Sequence, residues 1–120
     1  PHQEYLGTLR LNELRYLLGL SLVVIDEQLS DAARDHSKDM AMIGFFSHKS
    51  PVAGKQRFTQ RAAKFGTSAG AENIAAGQRT GHGAIEAWWY SPGRHRNMLG
   101  GHRRTGLGQH ETMWTQMFGG

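Results

Sequence analysis

Gly70-Ala71-Glu72-Asn73-Ile74-Ala75-Ala76-Gly77 sets a carboxylate beside an amide in a run of small residues, and His48 stands upstream in Phe45-Phe46-Ser47-His48-Lys49-Ser50-Pro51. An imidazole and a carboxylate brought together can move a proton. His48 would act as general base toward Ser50, Ser91 or water, and Glu72 would orient it. The same two side chains are ligands for a divalent cation such as zinc or calcium, although a metal centre needs about three protein ligands. The sequence contains no Gly-x-Ser-x-Gly elbow and no His-Glu-x-x-His pair, so nothing marks one of the common hydrolase mechanisms. A purely structural role is equally open, with His48 and Glu72 as a buried bridge between the exit of a helix and a sheet, because a buried carboxylate requires a partner.

The elements that must position these groups can be read from periodicity. Leu6, Leu9, Leu14, Leu17 and Leu18 recur at mostly three- and four-residue steps from Glu4 to Leu18, with Gly19 at the expected C-cap, which predicts a first helix buried along its leucines. Asn12 and Arg15 are expected to tie that helix to the next segment. Asp26 suits an N-cap, and Leu29, Ala32, Ala33, His36 and Met40 share one face of a second helix. His36 on that stripe reads as a core histidine with one hydrogen-bond partner. Phe58, Ala62 and Phe65 define a short third helix over Gln56–Phe65, where Arg61 is expected in a surface or interhelical salt bridge. Ala84 to Tyr90 is a fourth helix burying Ile85, Trp88 and Trp89, and Ser91-Pro92 can start a further turn. Two alternating segments around His110-Glu111-Thr112 predict a terminal hairpin. Helices lead and strands finish, which predicts an α+β fold.

Several segments together resemble the CAP, or SCP-like, superfamily of secreted proteins. They are Asn12-x-x-Arg15-x-x-x-Gly19-Leu20, the Phe45 to Pro51 segment, Glu72-Asn73-Ile74-Ala75, and Trp88-Trp89-Tyr90-Ser91-Pro92-Gly93-Arg94-His95-Arg96-Asn97-Met98-Leu99, with the Thr105-Gly106-Leu107-Gly108 and Trp114 to Phe118 ending. The resemblance implies a three-layer α-β-α sandwich with a small antiparallel sheet flanked by helices. It also implies one domain over residues 1–120, excised from a longer secreted precursor, and a cleft lined by two histidines and one or two acidic residues. His48 and Glu72 match two of these. Ser91 stands where longer members carry a second glutamate. An ungapped register puts Arg94 at the second histidine and His95 at the neighbouring arginine, and Ser91, Asn73 and Asn97 complete the implied cleft lining. Adjacent helical residues point about 100° apart, so His95 does not simply replace Arg94. Arg94 is therefore expected to pair with Glu72 and repel a cation, while a zinc or calcium site would have to use His48, Glu72 and His95.

Composition narrows the partners. The chain of 120 residues is 38% hydrophobic with 16 glycines and no cysteine, which describes one globular domain with many turns and neither disulfides nor Cys-ligated zinc. No apolar run approaches the roughly 20 residues of a spanning helix. An excess of 14 Lys and Arg over 10 Asp and Glu gives +4 and favours anionic surroundings. Nucleic acid is not expected, because the basic residues form no recognisable reading motif. The remaining expectation is a monomeric, secreted or envelope-located module, ligand-binding or weakly hydrolytic, holding a lipid, a peptide or an envelope polymer. Trp88, Trp89 and Trp114 are expected in the core rather than in a ligand groove.

Overall fold

The structure, a computed structural model, describes residues 1–120. In chain order the elements are α1 (His2–Leu17), β1 (Val24–Ile25), α2 (Glu27–Asp39), a π-helical turn (Met40–Gly44), α3 (Phe58–Lys64), β2 (Ala71–Ala76), α4 (Gly81–Trp89), α5 (Pro92–Met98), β3 (Arg104–His110) and β4 (Met113–Gly119). The strands lie in the order β1-β3-β4-β2, antiparallel except for the two-residue β1, which runs parallel to β3. Helices cover both faces, so the α+β sandwich expected from the sequence is what forms.

Alternation along the strands divides the molecule. Trp114 and Phe118 of β4 face α1, α4 and α5 and join Leu11, Val23, Ala84, Ile85, Trp88, Met98 and Leu107 in the main core. Met117 faces the other way and packs with Leu29, Ala32, Ala33 and Ala62 of α2 and α3. Since β2 pairs Glu72 with Met117 and Asn73 with Gln116, Glu72 points toward α2 and α3, and Asn73 points toward α5. On β3, α2 lies directly against the backbone: a Cβ on Gly106 would come within 2.2 Å of Leu29 and Ser30, and one on Gly108 within 2.1 Å of Arg34. Only glycine permits that approach.

The first helix departs from its expected face. Its buried positions are Glu4, Gly7, Thr8, Leu11 and Arg15, whereas Leu9, Leu17 and Leu18 are 47%, 75% and 53% exposed. The cause is again close packing, because α1 meets the start of α4 through Gly7 and Gly81, and side chains there would collide with the opposing backbone. Polar anchors complete that face. Asn12 exchanges two hydrogen bonds with the backbone of Val23, both at 2.9 Å, and Arg15 bonds three carbonyls, which is the tying role expected of both. Asp26 caps α2 by accepting from the N–H groups of Gln28 and Leu29. The indole N–H groups of Trp88 and Trp114 donate to the carbonyls of Ile74 and Gln78, each at 2.8 Å, so both rings are satisfied core residues. Trp89 is only half-buried, at the edge of that core.

Candidate functional site: a histidine, a glutamate and a buried arginine

Glu72 is brought to the α2/α3 side by its place in β2, and its carboxylate has no exposed surface. His48 reaches it from the segment after the π-helical turn: Nδ1 lies 2.9 Å from Oε1 of Glu72. A carboxylate only accepts, so Nδ1 carries the hydrogen, and in the neutral ring Nε2 keeps its lone pair. Half of the His48 side chain is exposed, and Nε2 makes no hydrogen bond within the chain. The two side chains thus meet as the sequence led us to expect.

The third member is Arg61, whose guanidinium is fully buried beside the carboxylate. Nη2 lies 2.8 Å from Oε1 and 2.7 Å from Oε2 of Glu72, and also 3.0 Å from the carbonyl of His48. Nη1 donates to the carbonyls of Lys55 and Gln56 at 2.9 and 3.3 Å. One side chain therefore compensates the buried charge and pins two loop segments around it. This corrects the expectation of a surface or interhelical bridge for Arg61. The signal was available in its spacing: three residues after Phe58 and one before Ala62, Arg61 lies on the buried stripe of α3.

Beneath this triad lies His36, also without exposed surface, whose Nε2 is 2.9 Å from the carbonyl of Ser47 and therefore donates to it. Burial holds its pKa below the ordinary value, and the Arg61 charge pushes the same way, while Glu72 and Asp39 pull against them. Outside the triad, a shallow depression of about 430 Å³ is lined by His48, Lys49, Gln56, Arg57, Phe58 and Thr59.

The rest of the expected cleft lining lies on the other side of the sheet. Asn73 donates to the carbonyl of Arg94 at 3.1 Å and accepts from Nδ2 of Asn97 at 2.9 Å, and that same Nδ2 reaches the carbonyl of Glu72 at 3.3 Å. These amides staple α5 to β2. Arg94 does not approach Glu72: its Nη1 donates to the hydroxyl of Ser91 at 3.2 Å, and Arg61 fills the place assigned to it. His95 packs edge-on against Trp89, with ring centroids 4.2 Å apart. His48, Glu72 and His95 are thus not brought together, and no group of three His, Asp or Glu side chains is disposed to hold a metal ion. The two candidate nucleophiles are likewise engaged elsewhere, Ser50 accepting from the N–H of Val52 and Ser91 from Arg94. Strand alternation explains the division, since Glu72 and Asn73 are neighbours in sequence and must project to opposite faces.

Known proteins share this fold. The sequence matches the CAP family, described as the Cysteine-rich secretory protein family, over residues 9–116. It is 35% identical over 110 residues to the uncharacterized protein YkwD of Bacillus subtilis, a match spanning 89% of this chain and 43% of YkwD. It is 29% identical over 108 residues to the uncharacterized membrane protein YlbC of the same organism, spanning 89% of this chain and 31% of YlbC. The chain therefore spans less than half the length of these curated relatives. Among solved structures, an extracellular protein containing a SCP domain from Bacillus anthracis superimposes with a TM-score of 0.92 at 30% identity, covering 98% of this chain and 40% of that one. An outer surface protein from Borrelia burgdorferi shares the fold, with a TM-score of 0.85 at 20% identity over 98% of this chain and 92% of its own. With residues 9–116 matched by the family and the fold shared over 98% of its length, the chain belongs to the CAP family as a cysteine-free member.

Proposed function

We propose that this chain is an extracellular ligand-binding module that takes an anionic envelope polymer into the depression beside His48. The observation that carries the reading is the chain from Arg61 through Glu72 to His48, which fixes one imidazole nitrogen and leaves the other as an outward-facing acceptor. A polymer hydroxyl or amide would donate to Nε2, while Lys49 and Arg57, neither of them in an ion pair, would meet carboxylate or phosphate groups. Phe58 offers a flat apolar surface to a sugar ring. A lipid fits less well, because the apolar crevice beside Trp89 has a volume of only about 80 Å³. The extracellular setting is taken from a relative at 30% identity that is described as extracellular.

The same lone pair supports a second reading, weak hydrolysis with His48 as the base that activates water. Both are tested by incubating the protein with isolated cell-wall sacculi that retain or lack their anionic polymers. Polymer-dependent retention that falls about tenfold in His48→Ala and in Arg57→Glu, roughly the loss of one charged hydrogen bond, is the expected result. Equal retention by all three proteins would overturn the binding reading. Soluble fragments released by the parent and not by His48→Ala would establish hydrolysis.

A further inference from the structure

A second polar feature lies where α1 meets the loop between α5 and β3. Arg15 is 2% exposed and has no carboxylate partner, and burial alone lowers its pKa. Its Nε donates to the carbonyl of Ser21, and its Nη1 to those of Met98 and Gly100, all at 2.8 Å. Nη2 donates to nothing in the chain, yet it is not sealed from solvent. Arg15 lines a cavity of about 450 Å³ together with Ser21, Gly100, Gly101, His102 and Arg103, and no acidic residue lines it. Arg103 is exposed and forms no ion pair, and the N–H groups of Ser21 and Gly101 reach no backbone acceptor.

A buried cation held only by carbonyl dipoles has paid for its desolvation without a counter-ion, and a guanidinium pairs strongly with an oxyanion that enters such a site. The unused donors stand on two sides of the cavity, the turn after α1 and the loop before β3. That arrangement suits a tetrahedral group better than a planar carboxylate, which a single guanidinium fork satisfies. We propose that this cavity binds a phosphate group, as inorganic phosphate, a phosphodiester polymer or a lipid headgroup, through Nη2 of Arg15, the Arg103 side chain and the loop N–H groups. The site belongs to the α1/α5 side of the molecule and does not depend on the ligand assigned to His48.

Nitrogen-15 NMR titration with inorganic phosphate at constant ionic strength tests the proposal, with acetate as the control. Saturable shifts of the Ser21, Gly100, Gly101 and Arg103 amides are expected, with acetate much weaker. Arg103→Glu, an exposed substitution that leaves the fold intact, should weaken the phosphate effect about tenfold. Glycerol-phosphate polymer and phosphatidylglycerol vesicles are then compared with the free ion, and whichever binds tightest identifies the source of the phosphate. The proposal is overturned by the absence of saturable shifts in that loop, by equal shifts in Arg103→Glu, or by shifts confined to His48, Lys49 and Arg57.

Discussion

On the side of the sheet covered by α1, α4 and α5, ten buried apolar residues that include Trp88, Trp114 and Phe118 form a thick core, whereas the α2/α3 side holds five, three of them alanines. The space that large side chains would occupy on the second side is filled by Arg61, Glu72 and His36, together with Ser37, which donates to Thr115 at 2.8 Å. Burying an ion pair gains little stability over an apolar pair of similar volume, while breaking one is costly. A domain that needed only cohesion could have packed both faces with aliphatic and aromatic residues. The contrast agrees with the site proposed on the α2/α3 side, whose buried charges connect to solvent through His48. Asn73 and Asn97 place amides on the opposite face, but those amides bond one another and backbone carbonyls, and so serve as staples.

The contrast can be tested by removing a pillar from each side. Trp114→Ala and Arg61→Met should each cost about 3–5 kcal/mol, the first by opening a cavity and the second by leaving the Glu72 carboxylate buried and uncompensated. Adding Glu72→Gln should restore at least half of the loss in Arg61→Met and none of it in Trp114→Ala, as read by urea denaturation. If the Arg61→Met protein is not rescued, Arg61 acts through the loop carbonyls it holds and not through charge compensation. Asn73→Ala comes next, at about 1–2 kcal/mol for the loss of two part-buried hydrogen bonds, with retention on sacculi unchanged.

Acid should weaken both sides by a smaller amount. Because burial keeps the His36 pKa depressed, the unfolded chain binds a proton below about pH 6.5 that the folded chain does not. Stability contributed by neutral His36 is thus present above that value and is lost as pH falls toward the folded pKa. His102, half-buried on the α5 side, acts in the same direction. Burial would raise the pKa of Glu4, but its bonds to Arg34 and to the N–H of Gln109 outweigh this and hold it low, which extends the loss into the carboxylate range. The midpoint of urea denaturation measured from pH 7 to pH 5 should fall, and His36→Gln should flatten that slope. An unaltered slope would assign the acid sensitivity to other groups. The smallest effect on stability belongs to His48→Ala, within about 1 kcal/mol because the side chain is half exposed, although the same change should lower polymer retention about tenfold.

Much of this molecule was legible in the sequence because the relevant signals are local. The α2 cap at Asp26, the helical stripe through Leu29, Ala33 and His36, the Pro at the start of α5 and the alternation of Trp114, Gln116 and Phe118 are each fixed by a few neighbouring residues. The family resemblance added the pairing of His48 with Glu72, which no local rule supplies across their separation. The tertiary structure decided the rest, because those features depend on which surfaces meet. The leucines of α1 made a plausible buried stripe, yet Gly7 against Gly81 and Arg15 against three carbonyls turned the helix the other way. Arg94 looked like the partner of Glu72 by register along the chain, but strand alternation sends Asn73 and Glu72 to opposite layers, and the guanidinium that reaches Glu72 comes from α3. Sequence spacing places residues on a face of their own element, and only the packing of elements decides what that face touches.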